Sequence, residues 1–370
     1  MTKRLTLVIS SLFSGGAERV MSIMANYWAD KNWQITVITF DSGLEQPFYK
    51  LHPGVVHVAL GIASTSKSAR QAFAANLERI RILRRAIRQS RPNAVISFLD
   101  TTNVLALLAT RGTRAPVVVS ERSEPRFAPI TRPWAVLRRL CYPFAKCIVV
   151  QSESVGSFFP PSLQPQIRVV PNPVLKPPPA LARKPCARKK RVIAIGRLTP
   201  EKGFDMLLRA FAMLASRHAE WTLAIWGEGI QRAELEDIRD KFGLQGQVRL
   251  PGRTCDPHKE LRQADLFVLS SRFEGFPNVL GEAMACGLPV ISFDCSSGPR
   301  EIIRHGVDGI LVPPGNIELL AASMDRLMSD EAERARLGTR APEVLQRFDL
   351  EKVMRMWSEV LKCATNGGLG

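Results

Sequence analysis

The sequence predicts an α/β protein made of two consecutive Rossmann-like domains, each built on a parallel sheet. Length is the first indication: 370 residues exceed the roughly 250–300 at which a single core stops growing. The second is the alternation of short apolar, β-branched runs with amphipathic helical patterns, the signature of crossover-connected parallel strands. The third is a restart halfway along the chain. KRLTLVISSLFSGGAERV (3–20) and KRVIAIGRLTPEKGFDML (190–207) share one plan of basic lead-in, apolar strand, glycine-bearing loop and helix.

In the first half the strands are LTLVIS (5–10), followed by a helix from about Ala17, then WQITVITF (33–40), AVISFL (94–99), APVVVS (115–120), KCIVVQS (146–152) and IRVVPN (167–172). A cluster of prolines at 171, 173, 177, 178, 179 and 185 and the basic run ARKKR (187–191) come next. Proline cannot sit inside a packed helix or a central strand, so this stretch reads as a linker. The second half continues with RVIAI, WTLAIWG (221–227), QVRLPG (247–252), ADLFVLSS (264–271), LPVISFD (288–294) and GILVPP (309–314). Nearly continuous apolar runs of this kind suit strands covered on both faces. The amphipathic stretch FDLEKVMRMWSEVL (348–361) reads as a helix before a frayed tail. The expected organisation is a domain over 1–175, a linker over 176–191, a second domain over 192–347, and a helix and tail over 348–370 packing back towards the first domain.

A composition of 45% hydrophobic and 23% charged residues excludes wholesale disorder. The net charge of +17 is unevenly placed: residues 1–190 hold 28 basic and 9 acidic side chains, a net +19, and the remainder carries −2. Nucleic acid, an acidic membrane surface or a phosphorylated ligand each fit such an asymmetry. Seven scattered cysteines without a Cys-x-x-Cys pair read as thiols of a reducing compartment. The apolar start is short and runs into Ser14-Gly15-Gly16, so it reads as a first strand, and no run of about 18 apolar residues spans a membrane.

The strongest chemical signal is SRFEGFPNVLGEAMACGLPVIS (271–292). Glu274 and Glu282 are separated by a turn holding Gly275 and Pro277 and by the first turn of a helix. A first-turn proline loses only an amide hydrogen that has no intrahelical acceptor. The amides of Asn278, Val279 and Leu280 then offer a diphosphate site that needs no metal, and either glutamate can bind sugar hydroxyls. In GRLTPEKGFD (196–205), Arg197 and Lys202 leave a strand end on a loop closed by Gly203, suited to phosphate oxygens. In SGGAERV (14–20), Gly15 and Gly16 let backbone approach a phosphate or sugar. GEGIQR (227–232) has Arg232 where a dinucleotide fingerprint needs its third glycine, the histidines lack metal-ligand spacing, and neither Asp-x-Asp nor Gly-x-Ser-x-Gly occurs.

With these motifs in this order, and with VVPNPV (169–174) and SGPREIIRHGVDGILVP (297–313), the chain resembles the retaining glycosyltransferases of family 4, also called glycosyl transferases group 1, which have the GT-B fold. The resemblance implies a metal-independent hexosyltransferase without cofactor, using a nucleotide sugar, a UDP-sugar by preference, as donor substrate. It assigns Arg197 and Lys202 to the donor diphosphate, Glu282 to the ribose and Glu274 to the donor sugar. The backbone amides along the segment Phe276, Pro277, Asn278, Val279 and Leu280 are assigned to sugar and phosphate, with Gly16 closing over the diphosphate. Gly281 departs from the aliphatic residue usual in relatives and suggests looser helix packing. SERSEP (120–125) stands where many relatives carry a histidine, making Glu121 and Arg122 the candidates for that position.

The basic excess of the first half concentrates in NLERIRILRRAIRQSRP (76–92). At helical period Arg81, Arg84, Arg85 and Arg88 share an arc beside an apolar one formed by Phe73, Ile80, Leu83 and Ile87. RPWAVLRRLCYPFAK (132–146) forms a second basic helix, with Trp134 and Tyr142 expected at lipid headgroup level and Arg138, Arg139 and Lys146 on anionic lipid. Relatives combining these motifs extend polyprenyl-diphosphate glycans or lipopolysaccharide, which implies a lipid-linked glycan acceptor, its diphosphate held by the helix 76–88 arginines. The expected setting is cytoplasmic, peripheral on the inner face of the cell membrane. The competing readings are a GDP-mannose-dependent mannosyltransferase of exopolysaccharide synthesis and, in another class, a basic nucleic-acid- or membrane-binding protein without catalysis. Few aromatics interleave with the basic residues and no nucleic-acid module is recognisable, so nucleic acid is not the expected partner.

Overall fold

The structure, a computed structural model, describes residues 3–63, 69–127, 130–178 and 190–365. It divides into two compact units, one of Met1–Asn172 with Glu351–Gly370 and one of Pro173–Leu350. Most of the proline-rich stretch, residues 179–189, lies outside the described residues.

The first unit is built on a seven-stranded parallel sheet in the order β3-β2-β1-β4-β5-β6-β7. The strands are β1 (Arg4–Val8), β2 (Gln34–Thr39), β3 (Val55–Ala59), β4 (Ala94–Phe98), β5 (Val117–Ser120), β6 (Cys147–Val150) and β7 (Ile167–Val169). Crossovers are made by α1 (Gly16–Asp30), α2 (Ala69–Ser90), α3 (Asp100–Thr110), α4 (Arg132–Cys141) and α5 (Glu153–Gly156). The central strands β4, β5 and β6 are buried at every position, which explains sequences that are apolar but for the buried Ser97 and Ser120. Strand β3 was not foreseen. It is a half-exposed edge, with Val56 58% exposed, and so has no continuous apolar run. The strand order reverses between β1 and β4, which pair in register with Leu7 opposite Ile96.

The last helix, α14 (Leu350–Ala364), has residues from Glu351 onward in this unit. Trp357 is fully buried and stacks on Phe98 of β4 with ring centroids 6.2 Å apart. Tyr27 of α1 donates a hydrogen bond to Glu351 (2.7 Å).

The second unit carries a six-stranded sheet in the order β10-β9-β8-β11-β12-β13, again parallel. Its strands are β8 (Lys190–Ile195), β9 (Trp221–Trp226), β10 (Val248–Gly252), β11 (Leu266–Leu269), β12 (Val290–Phe293) and β13 (Ile310–Val312). The helices are α6 (Phe204–Ala212), α7 (Arg232–Lys241), α8 (Pro257–Arg262), α9 (Asn278–Ala285), α10 (Pro299–Ile302), α11 (Ile317–Ser329), α12 (Glu331–Arg340) and α13 (Val344–Phe348). Alternate residues feed two cores: Val192 and Ala194 face α6 and α11, while Ile193 faces α9. The order reverses between β8 and β11, the switch point at whose carboxyl ends ligands bind in open α/β sheets.

The apolar arc expected on the first basic helix is split, and the orientation expected of two aromatics on the second is reversed. Phe73 lies on the outer face of α2, 69% exposed, whereas Leu83 and Ile87 are buried. Tyr142 is fully buried and Trp134 packs against the core of the first unit, so neither is placed for a lipid headgroup. The side chains that α4 and the following turn do expose are Val136, Leu140 and Phe144. On the second helix the error is one of helical phase: it covers its own sheet, and Trp134 and Tyr142 complete the inner side.

Candidate functional site

At the carboxyl ends of β8 and β11 the loops 196–205 and 270–282 come together. Their approach depends on Gly203, which has φ +61° and whose added Cβ would stand 2.1 Å from the Ser270 carbonyl oxygen. Only glycine tolerates both the backbone angle and the closeness. The Ser270 hydroxyl then donates to the Lys202 carbonyl (3.0 Å) and fixes the loop against the strand end.

This brings Lys202 and Glu274 into contact. Lys202 Nζ lies 2.7 Å from Glu274 Oε1, and the Ser271 hydroxyl donates to the same oxygen at 2.7 Å. Both side chains are largely removed from solvent, 19% and 10% exposed. The Ser297 hydroxyl donates to the Glu274 carbonyl at 2.5 Å, so side chain and backbone of this glutamate are both held. Gly298, at φ +89°, stands where a Cβ would meet Pro277 Cδ at 2.7 Å, which packs the 297–298 loop onto the turn ahead of α9.

Pro277 is the N-cap of α9 rather than a residue of its first turn. Its carbonyl accepts the Leu280 amide (3.1 Å), so Leu280 does not present a spare amide as expected. Glu282 lies about one turn into α9, 4% exposed, and Phe276 is 6% exposed. Gly281 does not loosen the helix. A Cβ there would lie 2.6 Å from Val174 Cγ2, so the Val174 side chain fills the place of the missing one. Arg197 stands apart from the buried pair, 70% exposed and 3.2 Å from Glu201.

In the first unit Gly15 is the N-cap of α1, and its bare face is filled by the Glu18 carboxylate: a Cβ on Gly15 would lie 2.1 Å from Glu18 Oε2. Gly16 is the first residue of the helix. Glu121, just past β5, is 1% exposed and accepts a hydrogen bond from the Tyr142 hydroxyl. Burial raises its carboxyl to about 7 against the opposing pull of that bond. The Arg122 guanidinium is enclosed 3.9 Å above the Phe98 ring and makes no hydrogen bond among the described residues; burial lowers it to about 9. Glu121 is thus built into the wall of the unit rather than presented to a sugar.

The arginines of α2 are elsewhere. Helix α2 runs antiparallel to the strands for about 33 Å, and Arg81, Arg84, Arg85, Arg88 and Arg91 line an open hollow on its later half. Arg91 follows the helix and its carbonyl accepts from the Arg4 side chain at the start of β1. The hollow is therefore at the amino edge of this sheet, opposite the edge that carries Gly15, Glu121 and Arg122.

Ser270, Ser271 and Ser297 were not singled out from the sequence. The available signal was two serine pairs, 270–271 and 296–297, at strand ends on either side of the Glu274–Glu282 segment. Among the described residues no group of three or more His, Cys, Asp or Glu side chains is arranged to hold a metal ion. None of the described helices is long and apolar enough to cross a membrane.

Residues 15–173 match the family model "Glycosyl transferase 4-like domain" and residues 183–344 match "Glycosyl transferases group 1". Over 97% of this chain and 98% of the relative, the sequence is 28% identical to a GalNAc-alpha-(1->4)-GalNAc-alpha-(1->3)-diNAcBac-PP-undecaprenol alpha-1,4-N-acetyl-D-galactosaminyltransferase of Campylobacter jejuni. It is 27% identical to the amylovoran biosynthesis glycosyltransferase AmsD of Erwinia amylovora, over 98% of this chain and 100% of the relative. An exopolysaccharide phosphotransferase of Streptomyces coelicolor is 35% identical over 59% of this chain, a match that spans only 23% of the relative. Among solved structures, Anabaena HepE in complex with UDP superposes with a TM-score of 0.78 at 20% identity, over 97% of this chain and 99% of that one, which identifies the fold as GT-B.

Proposed function

The chain belongs to the glycosyltransferases, with a glycosyl transferase 4-like domain ahead of a group 1 domain, and from that premise we propose that it moves a hexose or N-acetylhexosamine from a UDP-sugar, with retention of configuration, to a polyprenyl-diphosphate-linked glycan. The observation that carries this reading is the buried Lys202–Glu274 pair at the switch point of the second sheet, beside the start of α9.

In this reading Lys202 and the more exposed Arg197 take the donor diphosphate, and the amides of Asn278 and Val279 supply further positive potential from the helix start. Charge builds on the UDP leaving group as the glycosidic bond breaks, and preorganised donors of this kind are worth roughly 3–4 kcal/mol each. Glu274, held by Ser271 and Ser297, receives the sugar hydroxyls, and Glu282 the ribose. The full-length match to an undecaprenol-linked GalNAc transferase supports the lipid-linked acceptor; that to an amylovoran transferase keeps polysaccharide assembly as its broader setting.

Thermal shift with UDP, GDP and their sugars tests the donor, since only a ligand of the native state stabilises it by mass action. Stabilisation by UDP and UDP-sugars is expected. Stabilisation by GDP and GDP-mannose alone would establish the mannosyltransferase reading in its place. NMR of the product anomer tests retention, and turnover persisting in EDTA is the outcome expected of a metal-independent transferase.

A further inference from the structure

We propose that the first unit docks on an anionic phospholipid bilayer through one continuous surface made by α2, α4 and the turn that joins α3 to β5. It rests on side chains remote from the donor pair. Val136, Leu140 and Phe144 follow one another at intervals of four along α4 and the turn after it, and are 58%, 62% and 53% exposed. A helix already packed through Leu137 and Cys141 on its inner side has no internal need for a second apolar stripe. Arg132 and Arg139 are exposed beside this stripe.

The stripe continues into the basic hollow. Arg111 lies 4.2 Å over the Phe144 ring, and Phe144 lines a depression together with Arg111, Arg114 and Lys146. Gly112 in the same turn faces Arg84, whose Nη2 would lie 3.8 Å from an added Cβ and whose Nη1 donates to the Ala109 carbonyl (3.3 Å). Arg84 opens the hollow shared with Arg81, Arg85, Arg88 and Arg91. On the outer face of α2 the same order recurs: exposed Phe73 and Leu77, then exposed Arg81, Arg85 and Arg88.

Apolar side chains framed by arginines match the two layers of a membrane interface, hydrocarbon below and phosphate around it. Nucleic acid would use the arginines but has nothing for exposed Val136 and Leu140, since its grip on apolar protein surface comes from base stacking on aromatics. The +19 of residues 1–190 supplies the long-range attraction. This surface deepens the lipid-linked acceptor reading by naming the face that meets the membrane, and it has its own readout.

The test is flotation of the full chain with phosphatidylcholine vesicles, with and without phosphatidylglycerol. The wild type is expected to float with the anionic vesicles, less so as salt rises. Leu140→Ser with Phe144→Ser, and separately Arg85→Gln with Arg88→Gln, should each lower the bound fraction about tenfold. Leu140→Ser with Phe144→Ser should leave the melting temperature and sugar transfer to a water-soluble acceptor unchanged. Leu140→Trp should gain a blue-shifted emission on vesicle addition. Wild-type flotation of the serine variant, an unshifted Leu140→Trp emission, or retention of DNA without vesicle binding would each overturn the proposal. Absence of donor turnover in the wild type would instead overturn the transferase reading, whatever the vesicles show.

Discussion

Lys202 Nζ and Glu274 Oε1 are 2.7 Å apart, joined across 72 residues of chain at the ends of two neighbouring strands. The cation proposed for phosphate and the carboxylate proposed for sugar therefore neutralise each other.

Removing one partner leaves the other charged and nearly out of water. Lys202→Met and Glu274→Gln should each lose most turnover and each destabilise the protein by about 3–5 kcal/mol. The double variant should regain most of that stability and none of the activity. Urea denaturation of the four proteins, with turnover measured on each, checks this; additive stability losses in the double variant would show that the two side chains are not coupled.

Ser271 shares the Glu274 oxygen with Lys202 and is 1% exposed. Ser271→Ala should weaken the hold on the carboxylate rather than remove it, costing roughly 1 kcal/mol and about tenfold in kcat, with Ser271→Thr closer to wild type than alanine. Steady-state kinetics of the two variants separate positioning from a loss of fold.

Gly281 and Val174 fill one space. Gly281→Ala gains helix propensity of up to about 1 kcal/mol but overpacks a site with no slack, a cost of about 1–3 kcal/mol. Net destabilisation is expected, and Val174→Ala in the same chain should relieve it. Thermal melts of the single and double variants decide the matter.

Glu121 gives the protein a pH dependence of known sign. Burial, opposed by the Tyr142 hydrogen bond, raises its carboxyl to about 7. Between the ordinary carboxylate range and that value the folded chain holds a proton that the unfolded chain has released. The stabilisation is complete below the unfolded value and is lost as pH rises through about 7. Glu121→Gln should remove this dependence and leave the protein more stable above neutrality, by on the order of 1–3 kcal/mol. Melting temperatures across pH 5 to 8 would expose a wild-type slope that the variant lacks; parallel curves would assign the slope to other groups.

The fold was legible because the central strands β4, β5, β6, β11 and β12 are buried at every position and read as largely apolar runs. Strand β3 escaped for the complementary reason, as an edge whose Val56 faces outward. Lys202 and Glu274 were legible as residues but not as a pair, because their contact depends on β8 and β11 being neighbours, a property of strand order. The serines that hold Glu274 carry no distinctive chemistry until Gly203 and Gly298 bring their loops close. On α2 and α4 the sequence showed amphipathic helices, but which arc faced inward depended on packing, and the two aromatics expected outside were needed within.

The chain enters the second unit at Pro173 and leaves it at Leu350, completing the first unit with Glu351 onward. The first unit is therefore discontinuous in sequence, and residues 1–172 made alone would leave Phe98 without the Trp357 ring that stacks on it. Exchanging the second unit with that of another member of the family requires two junctions, one on each side of the transplanted segment. A single crossover would deliver a hybrid in which α14 comes from one parent and the sheet it covers from the other.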